Sequence, residues 1–166
     1  MRLMPVLVAL LACSSPTLAQ DDPTACWGRV EGQTPVNTFF DKQATNFWRQ
    51  MLQQADGQLM AQMSGVYYGE RNSPDGLYVN RQYRSFERNG LFQYQDQTCS
   101  IGMPGAPCSQ NQGTGEWRAV NQGDGTSYFM IRFSDMVQTA ACSGQRIQFN
   151  GNGFVDEGGI YWTRTQ

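Results

Sequence analysis

The sequence predicts a mainly β protein: an antiparallel up-and-down meander that closes into a small barrel, with one N-terminal amphipathic helix. Three observations carry the prediction. After Met63 the hydrophobic period is two and stays two almost to the C-terminus. Clusters of Gly, Asn and Asp punctuate the alternating runs. A helical period occurs in one stretch only, ahead of Gly57. A strongly curved open sheet wrapped on the helix is the alternative architecture.

Residues 1–19 read as a cleavable secretory leader. Arg2 is its only charge, Met4 to Ala12 is apolar apart from Pro5, and Thr17 and Ala19 hold the small-residue positions before the cut. The apolar run is too short to span a bilayer, and no second run is long enough for a membrane helix. Leu10-Leu11-Ala12-Cys13 offers a rival reading, a lipid-attachment motif in which an acylated Cys13 becomes the new N-terminus. Both place the domain in the periplasm or outside the cell, free in the first case and membrane-anchored in the second.

Composition narrows the function classes. The 166 residues hold 12 basic and 14 acidic side chains and no histidine. A mildly acidic chain without a basic cluster excludes nucleic acid as the expected partner. The missing imidazole removes His-based triads and His-ligated zinc. Cys26, Cys99, Cys108 and Cys142 remain after the leader, an even number that reads as two disulfides in an exported chain. The turn-rich segment between Cys99 and Cys108 closes a short loop, so the favoured pairs are Cys99 with Cys108 and Cys26 with Cys142. C-x-x-C pairs are absent, so neither a metal nor a cofactor is expected.

Residues 20–36 form a polar arm anchored at Cys26 and Trp27, and residues 37–166 one domain. The helix is placed at about 38–56: Phe40, Ala44, Phe47, Trp48, Met51, Leu52 and Ala55 make one apolar stripe. Thr38 with Asp41 supplies a start and Gly57 a stop. Core packing is preferred over membrane contact because Lys42 and Arg49 are the only cations on its polar face. Met51, Met60 and Met63 follow the same stripe as core filling.

Strands follow at Gly65 to Glu70, Leu77 to Arg88, Leu91 to Thr98, Glu116 to Asn121, Ser127 to Ser134, Gln145 to Asn150 and Gly159 to Thr165. Asn89-Gly90 is the strongest hairpin signal; as a two-residue type I′ turn it sets Arg88 opposite Leu91, Phe86 opposite Gln93 and Ser85 opposite Tyr94. One hairpin face then carries Tyr83, Ser85, Glu87, Phe92, Tyr94 and Asp96, the other Arg84, Phe86, Arg88, Leu91, Gln93 and Gln95.

Several of these segments resemble lipocalin-like (calycin) barrels. Met63-Ser-Gly-Val-Tyr-Tyr-Gly-Glu70 resembles their G-x-W opening strand, with Tyr67 at the tryptophan position. Arg84 to Phe92 is similar to the aromatic hairpin of bacterial lipocalin-like domains, and Gly115-Glu-Trp-Arg-Ala-Val120 and Phe129-Met-Ile-Arg-Phe133 to the strands that follow. Tyr161-Trp-Thr-Arg164 resembles the closing strand, which ends in arginine. The resemblance implies a barrel in which Arg164 packs over Tyr67, a cation–π contact of about 0.5 to 2 kcal/mol.

A barrel of this size either fills its interior with side chains or holds one small ligand. The candidate ligand-binding residues are Tyr83, Glu87, Phe92 and Tyr94 of the hairpin together with Trp117; tyrosines with a few charges suit an amphipathic or polar-aromatic molecule. The expected function is therefore non-enzymatic capture of a small molecule. The alternative is a protein-binding module, such as an inhibitor of a secreted hydrolase, that works through exposed loops. The third reading is a carboxylate-dependent enzyme on saccharide, with Glu70, Glu87, Asp96, Glu116, Asp135, Asp156 and Glu157 as the available groups. No spacing among these singles out a pair, so no catalytic residue is assigned.

Overall fold

The computed structural model describes residues 22–30, 32, 37–102, 105–134 and 141–165. The leader, the cleavage after Ala19, the Cys13 motif and Asp135 lie outside the described residues. Two short strands, β1 (Trp27–Arg29) and β2 (Thr38–Phe40), pair with each other. Helices α1 (Lys42–Gln54) and α2 (Gly57–Met63) follow. Then come β3 (Gly65–Asn72), β4 (Tyr78–Phe86), β5 (Leu91–Ser100), β6 (Ser109–Asn121), β7 (Ser127–Phe133), β8 (Cys142–Asn150), β9 (Gly153–Asp156) and β10 (Tyr161–Arg164). β3 to β10 form a closed antiparallel barrel in chain order, with β10 returning to pair with β3 through Arg164 opposite Tyr67. Closure leaves the barrel without an open edge.

The helical region differs from the expectation in three ways. The segment Thr38–Phe40 is strand, because Phe40 sets its ring edge-on to Trp27 at 5.8 Å and Phe39 lies across Gly28, where a Cβ would collide with its ring. The helix accordingly starts one turn later, at the N-cap Asp41, whose carboxylate accepts the Ala44 N–H at 2.8 Å. Gly57 does not stop the helical region but opens α2, behind a second cap. Asp56 accepts from the amides of Gln58 and Leu59, and its own N–H donates to the Ala119 carbonyl at 2.9 Å, tying the inter-helix corner to β6.

The two helices serve different surfaces. α1 lies on the outside of β6, β7 and β8, burying Trp48 and Met51 against Cys26 and Met130, while Phe47 and Leu52 of its stripe stay partly exposed. α2 enters the barrel end instead: Leu59, Met60 and Met63 join Tyr67, Phe86, Phe92, Trp117, Phe129 and Phe154 in the main core.

Both disulfides form the favoured pairs. Cys26–Cys142 ties the arm to β8 across 116 residues, and Cys99–Cys108 clips the β5–β6 connection across 9. On loop-closure entropy the longer tie contributes about 4 to 5 kcal/mol and the shorter about 2 to 3. The short tie brings Ser109 opposite Thr98, which is why β6 begins at Ser109 rather than Glu116. β9 has no counterpart in the predicted strands, since its four residues sit between two glycine turns.

The hairpin register differs by one residue. Phe86 pairs with Phe92, Ser85 with Gln93 and Arg84 with Tyr94. The loop has three residues, Arg88 to Gly90, closed by Glu87 N–H to the Leu91 carbonyl at 2.9 Å, and Gly90 takes φ 87°. With a two-residue turn Phe86 and Phe92 would face opposite sides; the longer loop puts both rings in the core, 5.2 Å apart.

Candidate functional site

Inward-facing positions sort the barrel into two ends. At the end holding α2, aromatic and aliphatic side chains fill the lumen, with Trp117, Tyr67, Phe92 and Phe154 each almost wholly buried. Trp117 donates its Nε1–H to the Glu87 carbonyl at 2.9 Å, fixing the β4–β5 turn under β6. Arg164 covers this end. Its guanidinium carbon lies 5.3 Å from the Tyr67 ring centroid, Nε and Nη2 donate to the Tyr67 hydroxyl, and Nη2 also reaches the Gln62 carbonyl at the end of α2. Burial pushes the Tyr67 phenol above its ordinary range, and the Arg164 hydrogen bonds pull it back only in part.

Among the described residues, the opposite end, where β4 begins and β9 ends, is a mouth. Inside it lies a cavity of about 250 Å³ lined by residues that include Gln82, Arg84, Phe133, Gln145, Asp156 and Trp162. This is close to the lower limit of small-molecule sites, about 300 Å³. At about 30 Å³ per water it corresponds to the liquid volume of roughly eight waters.

Arg84 stands at the boundary between the two ends. Its Nη1 meets Asp96 Oδ1 at 2.5 Å across β4 and β5, and Nη2 donates to Gln82 Oε1 at 3.3 Å. Its guanidinium is flanked by the rings of Tyr94 and Trp162, at 5.4 and 5.3 Å. Asp156, at the end of β9, is buried; it accepts the Ile160 amide on Oδ1 and the Trp162 indole N–H on Oδ2, both at 2.9 Å. These bonds hold the β9–β10 turn and fix the Trp162 ring against the cavity. Gly69 is the complementary position on β3, where a Cβ would press on the Trp162 and Ile160 side chains.

The five residues predicted to bind ligand do not share one place. Phe92 and Trp117 are core side chains of the filled end, and the Glu87 carboxylate accepts from Asn89 in the turn below them. Tyr83 faces outward, its ring 5.1 Å from that of Tyr68, above an open groove between Val66, Ser85, Gln93 and Thr114. Tyr94 alone adjoins the mouth, through Arg84. Gln82, Arg84, Gln145, Asp156 and Trp162 were missed as lining residues. Pairing Phe86 with Phe92 is the signal that would have turned Arg84 and Gln82 inward.

Among the carboxylates, Glu70 pairs with Arg81, Glu116 with Arg132 and Asp96 with Arg84. No group of three or more potential metal ligands occurs among the described residues.

Fold and site together define a closed eight-stranded antiparallel barrel, plugged at one end by a short helix and, among the described residues, open at the other over a small polar-aromatic chamber. Comparison with protein-family models, curated proteins and solved structures returns no match for this chain.

Proposed function

We propose that the chain is an exported, lipocalin-like binding protein that captures a small polar-aromatic molecule in the barrel mouth without transforming it. The observation that carries the reading is the cavity itself, a chamber of about 250 Å³ walled by rings and amides directly above a filled core. Gln82 and Gln145 supply amide donors and acceptors, Phe133 and Trp162 supply apolar area, and the plugged end makes the chamber blind. Such a chamber gives a ligand contact on several sides while leaving an entrance, the arrangement of barrels that hold one small molecule. Export is supported by the leader and by two disulfides, which persist in oxidising compartments.

Native mass spectrometry of protein purified from its own compartment tests the reading. Retained low-mass ligand is expected, and its loss is expected in Ser143→Phe, which places a ring at the mouth. A ligand kept by Ser143→Phe, or no bound species and no stabilisation by any member of a fragment library, contradicts the reading.

One observation favours a second reading, a protein-binding rim. Leu77, Tyr78 and Ile101 expose about half of their surface beside the Cys99–Cys108 clip, and Ile101 N–H donates to the Leu77 carbonyl at 2.8 Å. Capture of a partner that is lost on Cys99→Ser with Cys108→Ser supports this reading over the first.

A further inference from the structure

We infer that the mouth selects a small organic cation, whose ammonium group sits against Asp156 while its apolar body lies among Phe129, Phe133, Phe154 and Trp162. This rests on the reading of the mouth as a ligand chamber and adds the charge of the ligand.

The argument runs through the charged groups of the wall. Among the described residues, Arg84 and Asp156 are the charged ones that line the cavity. Arg84 is already matched: Asp96 neutralises it at 2.5 Å, and Tyr94 and Trp162 cover its flat faces. Asp156 has only neutral donors, the Ile160 amide and the Trp162 indole, and no ion pair reaches it among the described residues. A buried carboxylate without a counter-charge is destabilising, and a cation placed beside it offsets that cost.

The turn role of Asp156 accounts for two acceptor oxygens but supplies no counter-charge among the described residues. Holding the Ile160 and Trp162 N–H groups on separate oxygens needs two acceptors, which a carboxylate has and a neutral amide does not. Each carboxylate oxygen here takes one hydrogen bond and keeps further lone-pair capacity for a ligand. Aromatic side chains line the same cavity, and a cation gains wherever it meets a ring face. An anion would meet the Asp156 carboxylate, and among the described lining residues Arg84, already paired with Asp96, is the one cation that could attract it.

Three matched probes test the inference on the purified protein: phenethylammonium, 2-phenylethanol and phenylacetate, followed by calorimetry and by the Trp162 indole resonance. Phenethylammonium is expected to bind at least about tenfold more tightly than phenylacetate, with the alcohol between. Asp156→Asn, which sets an amide donor against one of the two N–H groups that Asp156 holds, is expected to remove the preference for the cation over the alcohol. The order of the three probes on the native chain is informative by itself, whatever the variant's folding. Phenylacetate binding as well as the cation, or a cation preference that survives in folded Asp156→Asn, overturns the charge inference and leaves the chamber standing. If none of the probes moves the Trp162 resonance and Ser143→Phe changes no ligand retention, the chamber falls too.

Discussion

The two ends of the barrel are built from the same strands and solve opposite problems. Below Arg84 the inward positions of β4 and β5 are Phe86 and Phe92, and the lumen is closed by Leu59, Met60 and Met63 from α2. Above it the same strands turn in Gln82 and Asp96, and nothing equivalent to α2 covers them among the described residues. Filling one end puts the stability in the aromatic cluster and leaves the other free to carry polar groups that a packed core would not tolerate. Stability and recognition are therefore separable along each strand, and substitutions at the two ends are expected to differ in kind.

The largest effect is expected at the filled end. Trp117→Ala removes a wholly buried indole and its bond to the Glu87 carbonyl, and should lower unfolding free energy by about 3 to 5 kcal/mol in a denaturant titration. A loss under about 1 kcal/mol would mean that the core lies elsewhere.

The boundary is expected to respond less, and in a way that reveals its chemistry. Arg84→Met strands Asp96 in a half-buried position and should cost about 1 to 3 kcal/mol, softened from a fully buried pair by partial exposure. Arg84→Met combined with Asp96→Leu should recover most of that loss, because both charges leave together. Equal destabilisation by the single and double variants would show that packing of the Arg84 stem on Tyr94 and Trp162 matters more than its charge.

The smallest effect separates the ends by pH. The Tyr67 phenol lies above its ordinary value of about 10 because of burial. The folded chain therefore holds this proton more tightly than the unfolded chain. The stabilisation is complete below the unfolded value near 10 and is lost as pH rises through the higher folded one. Stability curves of the native chain and Tyr67→Phe should run parallel below that range and converge above it. Because Tyr128 is also raised by burial and by Glu157, the comparison has to be made against the single variant rather than against total tyrosine absorbance.

How far this division was legible in the sequence can be traced residue by residue. Alternation alone places Phe129, Ile131 and Phe133 on one face of β7, and the even cysteine count with a turn-rich loop yields both disulfides. Asn89-Gly90 was ambiguous, because Gly90 serves equally as the second residue of a type I′ turn or as the left-handed third residue of a longer loop. The lumen decides between them, since only the longer loop buries Phe86 and Phe92 on one side. Gly57 was misread for a related reason: glycine after a helix signals a stop, yet Asp56 caps a new turn whose Leu59, Met60 and Met63 have a barrel end to fill. The site was the least legible part. Asp156 and Trp162 meet only through the β9–β10 turn, and a four-residue strand between glycines carries too little pattern to announce itself.

The division between a filled and a hollow end is tested most directly by adding the same ring to each. Ala119→Phe enters a wholly buried position of the filled end, and Ser143→Phe enters the mouth. Measured side by side by chemical denaturation, Ala119→Phe should cost about 3 kcal/mol or more and Ser143→Phe less than about 1 kcal/mol, as overpacking is expensive only where no space remains. Equal costs at the two positions would contradict the account.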